Sequence, residues 1–340
     1  MPDDDMTNLE SPLLTIDNLS LAFDTYQGRA WVLDHVSLFV RPGEVLGLVG
    51  ETGCGKSVCA KSILRLLPEP PARVLGGKII FHGEDLLALP LKRLRRIRGR
   101  GISMIFQEPM SSLNPVFTVG NQMTEIVRLH QGVKAQAARD VCIDMLARVG
   151  LPDPGDALAK YPHELSGGMR QRVMIAMDLS CRPELLLADE PTTALDVTVQ
   201  GQVLDILADL TAQQNTAVIF ITHDMGVVAR LCRRVAVMYA GQLVETAPVK
   251  ALFAAPGHPY TKGLIDSVTA LEEDRQELPH IPGAVPNLIT PPPGCRFHPR
   301  CHLRLEACAR TFPQPTHVGT DHIVYCHWFE QQVKTEGAPS

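Results

Sequence analysis

The sequence predicts an α/β fold built on a mostly parallel sheet, and three observations point there. Short apolar runs end abruptly in glycine or polar residues: EVLGLVG at Glu44–Gly50, LLLADE at Leu185–Glu190 and IFITH at Ile219–His223. Helix-forming segments follow those runs. One long stretch, residues 115–180, is helical and more polar, with no strong strand inside it. Strands alternating with helices are the pattern of a parallel sheet, because parallel neighbours need long crossovers.

In chain order, the apolar alternation from Leu13 to Val40 predicts strands. Glu44–Gly50 is a short buried strand. A helix is expected from about Lys56 to Leu67, where the PEPP stretch stops it. Lys78–Phe81 and Ile102–Phe106 are strands, and the basic run Leu91–Arg100 between them is a solvated helix. After the helical stretch, strands return at Leu185–Ala188 and Ala217–Ile221, each followed by a helix. Val235–Glu245 suggests a hairpin around Ala240–Gly241. The proline-rich run Pro279–Pro293 has the composition of a linker. A short cysteine-bearing tail follows it, and no internal repeat is visible.

The chain has 340 residues, enough for a large core plus an addition. Its formal net charge of -5 argues against a duplex-DNA binder, which needs a basic face. No apolar run approaches the ~18 residues that span a bilayer. The polar start, Met1 to Ser11, lacks a signal-peptide pattern. A cytoplasmic placement follows, and there cysteines stay reduced. Five of the nine cysteines are scattered through apolar segments: Cys54, Cys59, Cys142, Cys181 and Cys232.

Gly50-Glu51-Thr52-Gly53-Cys54-Gly55-Lys56-Ser57 fits G-x-x-x-x-G-K-[ST] between a strand and a helix. The glycines permit a tight loop whose N–H groups point inward as an anion nest. The following helix adds its positive end. Lys56 is placed to reach β- and γ-phosphates, and the Ser57 hydroxyl to ligate Mg²⁺. A chance glycine-rich turn is the bland alternative, and the strand–loop–helix context weighs against it. The strand Leu185–Ala188 ends in Asp189 and Glu190, two carboxylates that a buried strand tolerates only where it opens onto a cation or polar cleft. Asp189 suits Mg²⁺ binding through water, and Glu190 suits the base that orients or deprotonates an attacking water. His223 closes another apolar strand and faces the γ-phosphate or that water in this reading, although a lone histidine is more often structural. Gln107, after ISMIF, offers a neutral amide that senses Mg²⁺ or the water.

Leu165-Ser166-Gly167-Gly168-Met169-Arg170-Gln171-Arg172 resembles the ABC signature sequence, with Met169 where glutamine is commoner. With the phosphate loop, Gln107, Asp189-Glu190, Asp196 in TTALD and His223, the match runs in order from Leu13 to Glu245. The chain therefore resembles ABC nucleotide-binding subunits. QEPMSSLNP, YPHELSGGM, RPELLLADEPTTALDVTVQ and GHPYTKGL bring it closest to dipeptide and oligopeptide permease ATPases. Nickel-type importers share much of this.

The resemblance implies a P-loop NTPase (RecA-like) core with an antiparallel β subdomain and a helical signature subdomain, over residues 13–260, and a C-terminal transporter-type region over 261–340. It implies ATP hydrolysis that powers uptake, with two transmembrane permease subunits as partners at the cytoplasmic face of the membrane. A second ATPase subunit, either itself or a paralogue, would bury two ATPs face to face, and an external solute-binding protein would supply substrate. Ser166, Gly167 and Gly168 would donate N–H groups to the γ-phosphate held by the other subunit, and Asp196 is counted among the nucleotide-binding residues. Glu108–Asn114 would contact a cytoplasmic helix of the permease. No nucleic-acid partner is implied. Phe23, Tyr26 and Trp31 are all candidates to stack on adenine. A soluble ABC ATPase of repair or translation would carry coiled coils or two cassettes, neither of which is present.

The last four cysteines read Cys295-x5-Cys301-x6-Cys308-x17-Cys326. Four thiolates suit Zn²⁺ or an iron–sulfur cluster, and this spacing alone does not choose. His298, His302, His322 and His327 are alternative ligands. Resemblance to the dipeptide-permease ATPases implies a [4Fe-4S] cluster on the four cysteines.

Overall fold

The computed structural model describes residues 11–107, 113–192, 196–272 and 281–336. Two long strands open the chain, β1 (Leu14–Thr25) and β2 (Gly28–Val40), followed by β3 (Val45–Val49) and helix α1 (Lys56–Ile63). Next come β4 (Ala72–Phe81), β5 (Glu84–Asp85), α2 (Leu91–Ile97) and β6 (Ile102–Ile105). The helical stretch resolves into α3 (Val119–Gln131), α4 (Ala135–Arg148), α5 (Pro154–Ala157) and α6 (Gly167–Leu179). Then follow β7 (Leu185–Asp189), α7 (Val197–Gln214), β8 (Ala217–Thr222), α8 (Met225–Leu231), β9 (Arg234–Tyr239) and β10 (Gln242–Pro248). The described residues close with α9 (Val249–Ala254), α10 (Pro259–Glu272), β11 (Thr316–Gly319), β12 (His322–Val324) and α11 (His327–Glu336).

Two sheets organise these elements. One, β2-β1-β4-β5, is antiparallel. The other has the order β11-β12-β10-β9-β3-β8-β7-β6, and its β9-β3-β8-β7-β6 half is parallel. β7, β8 and β9 are buried along their whole length, which is why they read as unbroken apolar runs rather than alternations. One core fills the space between the antiparallel sheet, α1 and one face of the main sheet. A second lies under α3, α4, α6 and α7 on the other face. In α3, Val119, Met123 and Val127 bury one stripe at four-residue spacing, Thr118 caps the start, and Gly132 ends the helix with a left-handed φ of 69°.

The C-terminal residues differ from the expected tail. β12 pairs with β10, and β11 with β12, so the last residues extend the main sheet. A third core joins Cys295, Phe297 and Cys308 to Val49, Tyr239 and Tyr260. The proline-rich run is not a free linker in its described part, 281–293. The Trp31 N–H in β2 donates to the Leu288 carbonyl at 2.7 Å. Among the described residues, no helix is long and apolar enough to cross a membrane.

Candidate functional site

The candidate site lies at the C-terminal ends of β3, β7 and β8, where an open α/β sheet places its ligands. The loop 50–57 leaves β3 and enters α1. Gly50 has φ 151°, and a Cβ there would sit 2.1 Å from the Met238 carbonyl oxygen. Gly55, at the start of α1, has φ 108° and faces the Val32 carbonyl oxygen. These close approaches explain why glycine stands at both positions. Lys56 is buried and donates from Nζ to the carbonyls of Gly50 at 2.7 Å and Glu51 at 3.0 Å. Its ammonium is thereby folded over the loop.

Ser57 and Asp189 meet across 132 residues: Ser57 Oγ donates to Asp189 Oδ1 at 2.8 Å. Burial raises the Asp189 carboxyl above its usual range, against the Ser57 hydrogen bond and nearby Lys61 and Lys56, which lower it. A hydroxyl and a buried carboxylate facing one another are hard oxygen donors that suit Mg²⁺, and a cation there would relieve the desolvated acid.

The next residue turns the other way. Glu190 has a positive φ of 46°, and its N–H donates to the Ile221 carbonyl of β8. That conformation is uncommon for a residue with a side chain. It aims the carboxylate between two neighbours: Gln107 Nε2 donates to Oε2 at 2.9 Å, and His223 Nδ1 lies 3.4 Å from Oε1. Gln107, Glu190 and His223, which follow three different strands, therefore converge.

Ser166, Gly167 and Gly168 stand apart from this cluster. Ser166 Oγ accepts from the Met169 N–H and caps α6, while Ser166 and Gly167 are exposed. Asp196 likewise caps α7, accepting from the Val199 N–H at 2.9 Å. Cys54 is buried inside the loop, and burial first of all raises its thiol pKa. Of the adenine candidates, Phe23 packs against the core while Tyr26 is fully exposed and Trp31 partly so. Residues 108–112 of the expected permease contact lie outside the described residues.

Sequence reasoning missed three contributors. The Gln171 amide of α6 donates to the Pro191 carbonyl just beyond Glu190, tying the signature helix to that loop. Tyr260 and Arg300 both hold Glu51. Gln171 lay in LSGGMRQR and Tyr260 in GHPYTKGL, while Arg300 lay in no motif; Tyr260 and Arg300 act over 209 and 249 residues, a separation that no local pattern announces.

The four C-terminal thiols are free, and each is approached by backbone N–H groups. Leu305 N–H donates to Cys308 Sγ at 3.4 Å. Phe297 N–H serves Cys295, Leu303 N–H serves Cys301, and those of Phe329 and Trp328 serve Cys326. Burial, aided by the neighbouring thiols, pushes Cys295 up to about 12 and Cys326 to about 11. The donors are thus sulfurs with N–H support, as thiolate ligands require. Yet among the described residues no three histidine, cysteine, aspartate or glutamate side chains form a group that could hold one metal ion. The expected metal site is accordingly not carried by the geometry. His322, one of the alternative ligands, is committed to Glu245 at 2.9 Å.

Comparison with known proteins agrees with this geometry. The family described as ABC transporter matches residues 33–193, and the oligopeptide/dipeptide transporter C-terminal region matches 244–308. The chain is 48% identical over 320 residues to the dipeptide transport ATP-binding protein DppD of Bacillus subtilis, covering 94% of this chain and 95% of that one. It is 50% identical over 322 residues to a probable peptide ABC transporter ATP-binding protein of Sinorhizobium fredii, covering 94% and 96%. Among solved structures, the cassette CbiO1 of Clostridium perfringens superposes with TM-score 0.61 at 25% identity, covering 72% of this chain and 92% of that one. A dimeric cassette, MJ0796, bound to ADP and Pi gives TM-score 0.62 at 24% identity, covering 69% and 98%, and supports the fold.

The fold and site define an ABC-type ATP-binding cassette. Within that class, the chain belongs to the family of ABC transporter ATP-binding proteins that carry the oligopeptide/dipeptide transporter C-terminal region.

Proposed function

We propose that the chain is the ATP-hydrolysing subunit of an importer for dipeptides or oligopeptides. The observation that carries this reading is the pair of constellations around one loop: Ser57 against Asp189, and Glu190 between Gln107 and His223. The high identity to peptide-import ATP-binding proteins over nearly the whole chain supports the substrate class.

In this mechanism the loop 50–57 receives the phosphates in its N–H nest, with Lys56 swinging from the Gly50 and Glu51 carbonyls onto the β- and γ-phosphates. Ser57 and Asp189, together with the Gln107 amide, would hold Mg²⁺, which would supply positive charge against the phosphates. Glu190 takes the proton of the attacking water or orients it. Gln107 fixes one oxygen of that carboxylate, and His223 stands beside the other, in reach of the γ-phosphate. The exposed Ser166–Gly168 turn, at the start of α6, offers N–H groups to a nucleotide held by a second ATP-binding subunit, and Asp196 orders the adjacent helix start. Such contacts exist only in the closed pair, so ATP favours closure and hydrolysis releases it.

Residues 13–260 carry this motor, and 261–340 form the region particular to the peptide branch. The membrane partners are two permease subunits, with a solute-binding protein delivering peptide outside. The exposed Phe106, just after β6, and the exposed Val116 and Phe117, just before α3, suit contact with a permease helix, which would keep the chain peripheral to the membrane. The finer assignment for the C-terminal thiols is a [4Fe-4S] cluster on Cys295, Cys301, Cys308 and Cys326; it rests on the four sulfur donors and on the resemblance to dipeptide-permease ATPases, not on a preformed cage. Its test is absorption in the visible charge-transfer region, with iron and sulfide counted, in anaerobically purified protein. Zinc without iron, or no metal, rejects it.

The functional test is reconstitution with the permease subunits. Peptide-stimulated phosphate release that requires magnesium is expected. A folded chain with no magnesium-dependent affinity for ATP, alone or assembled, overturns the motor reading.

A further inference from the structure

Glu51, the second residue of the phosphate loop, is held at three points, two of them from outside the loop. Its N–H donates to the Tyr260 hydroxyl at 2.8 Å. Its carboxylate faces Arg300 in a two-pronged pair, Nη1 to Oε2 at 2.7 Å and Nη2 to Oε1 at 3.1 Å. Its carbonyl accepts from Lys56, the residue that must move to meet a phosphate.

Arg300 itself is fully engaged. Besides the two bonds to Glu51, Nη1 donates to the Tyr239 hydroxyl at 3.2 Å, Nη2 to the Ile281 carbonyl and Nε to the Pro282 carbonyl. All five donors of the guanidinium are used, and its side chain is 6% exposed. It stands in the turn between Cys295 and Cys301, which is closed by the Cys301 N–H bonding to the His298 carbonyl. The Tyr239 ring meets those of Tyr260 and Phe297 edge to face, and the guanidinium lies 5.7 Å from the Tyr239 ring centroid and 6.0 Å from that of Phe297.

We propose that Arg300 and Tyr260 are positioning residues for ATP: they neutralise and orient Glu51, so the C-terminal cysteine segment sets the affinity of the loop for phosphate. The physical need is plain. A carboxylate at the second position of an anion nest repels phosphate unless a cation offsets it, and only a fork-shaped cation fixes its direction as well. Tyr260 gives the Glu51 N–H an acceptor in a part-buried setting, where leaving it unpaired would be costly. This inference rests on residues 50–57 binding phosphate, the reading given above.

The test is Mg-ATP affinity of the full-length chain by calorimetric titration, with kcat and KM measured in the assembled transporter. Arg300→Gln should weaken Mg-ATP about tenfold, the size of one charged hydrogen-bonded pair, with kcat within about twofold of the parent. Arg300→Lys should fall between, keeping charge but losing the fork. The double variant Glu51→Gln/Arg300→Gln should return to within about threefold of the parent, because the repelling charge is gone. Tyr260→Phe, which removes one hydroxyl and little volume, should weaken binding about threefold and covers the case in which Arg300→Gln does not fold. Parent-like affinity in Arg300→Gln and Tyr260→Phe overturns the proposal. So does a double variant as weak as Arg300→Gln, since packing rather than charge would then be at stake. If the parent chain itself lacks affinity, the functional reading fails; if the parent binds and the variants match it, only this inference fails.

Discussion

The phosphate loop and the C-terminal cysteine segment meet at Glu51, but they are built by different means. The loop is local: eight consecutive residues, three glycines with positive φ and one helix start make a nest that depends on short-range geometry. The C-terminal segment has little regular structure between Ile281 and Pro315 and is held by contacts hundreds of residues apart in sequence. Arg296 pairs with Asp34 at 3.2 Å and donates to the Trp31 carbonyl, and Arg41 pairs with Asp321 at 2.8 Å. A local device suits a site that must fit one ligand group. A distributed one suits a brace, because each contact is replaceable while the set fixes a position.

The largest expected effect tests the local side. Glu190→Gln keeps the volume and the hydrogen bond from Gln107 but removes the base, so phosphate release should fall at least about a hundredfold. Mg-ATP binding should survive, because the loop and the Ser57–Asp189 pair are untouched. If turnover is retained, the carboxylate lodged between Gln107 and His223 is not the base, and the comparison loses its catalytic pole.

The difference in construction explains what was legible beforehand. β3, β6, β7 and β8 are short and buried on both faces, so they stood out as apolar runs, and their polar ends marked the site. Gln107, Glu190 and His223 were found because each follows such a run. That they touch one another was not readable, since the left-handed turn at Glu190 brings this about. β11 and β12 were missed altogether: they hold four and three residues, half of them polar, and exist because β10 offers an edge. Tyr260 sat in GHPYTKGL without a role, and Arg300 sat unremarked in the cysteine-bearing tail between Cys295 and Cys301. Side chains that brace across the fold carry no periodicity to betray them.

The second test addresses the seam between the two regions. Arg234 begins β9, where the parallel sheet gives way to its antiparallel extension. It forms a buried pair with Glu44, bonds to the Phe39 carbonyl and lies 4.0 Å over the Phe39 ring. Arg234→Ala strands the Glu44 carboxylate in a dry site, a loss of about 3–5 kcal/mol for a broken buried pair. Chemical denaturation measures it. A loss under about 1 kcal/mol, the value of an exposed pair, would mean that the seam is open to water.

A pH test sharpens the local side at its helical edge. Asp178 of α6 accepts from Ser103 Oγ at 2.7 Å, and burial raises its carboxyl to about 7. The unfolded chain releases this proton near the usual carboxylate value, whereas the folded chain keeps it until about pH 7. Stability from this group is therefore present at acid pH and lost as pH rises from about 4 to about 7, by at most about 4 kcal/mol. Asp178→Asn mimics the protonated form, so its melting temperature relative to the parent should rise between pH 5 and pH 8. A difference that stays constant with pH would mean the carboxyl is already ionised in the fold.

The smallest effect concerns the two kinds of cysteine, one in each region. Cys54 lies inside the phosphate loop, with its Sγ 3.8 Å from Lys56 Nζ and its surface 1% exposed. Cys301, between Arg300 and His302, is half-buried. The attacking species is the thiolate, and it must be reached, so in the folded, metal-free chain Cys54 should react with a small disulfide reagent more slowly than Cys301. Reaction at Cys54 then requires the loop to open. Saturating Mg-ATP, by closing the loop on the phosphates, should slow Cys54 further and leave Cys301 unchanged. Peptide mapping of the labelled chain, with and without nucleotide, separates the two rates. Equal protection of both thiols by nucleotide would mean that the brace tightens together with the loop, and that the division between local site and distributed support is dynamic rather than fixed in the fold.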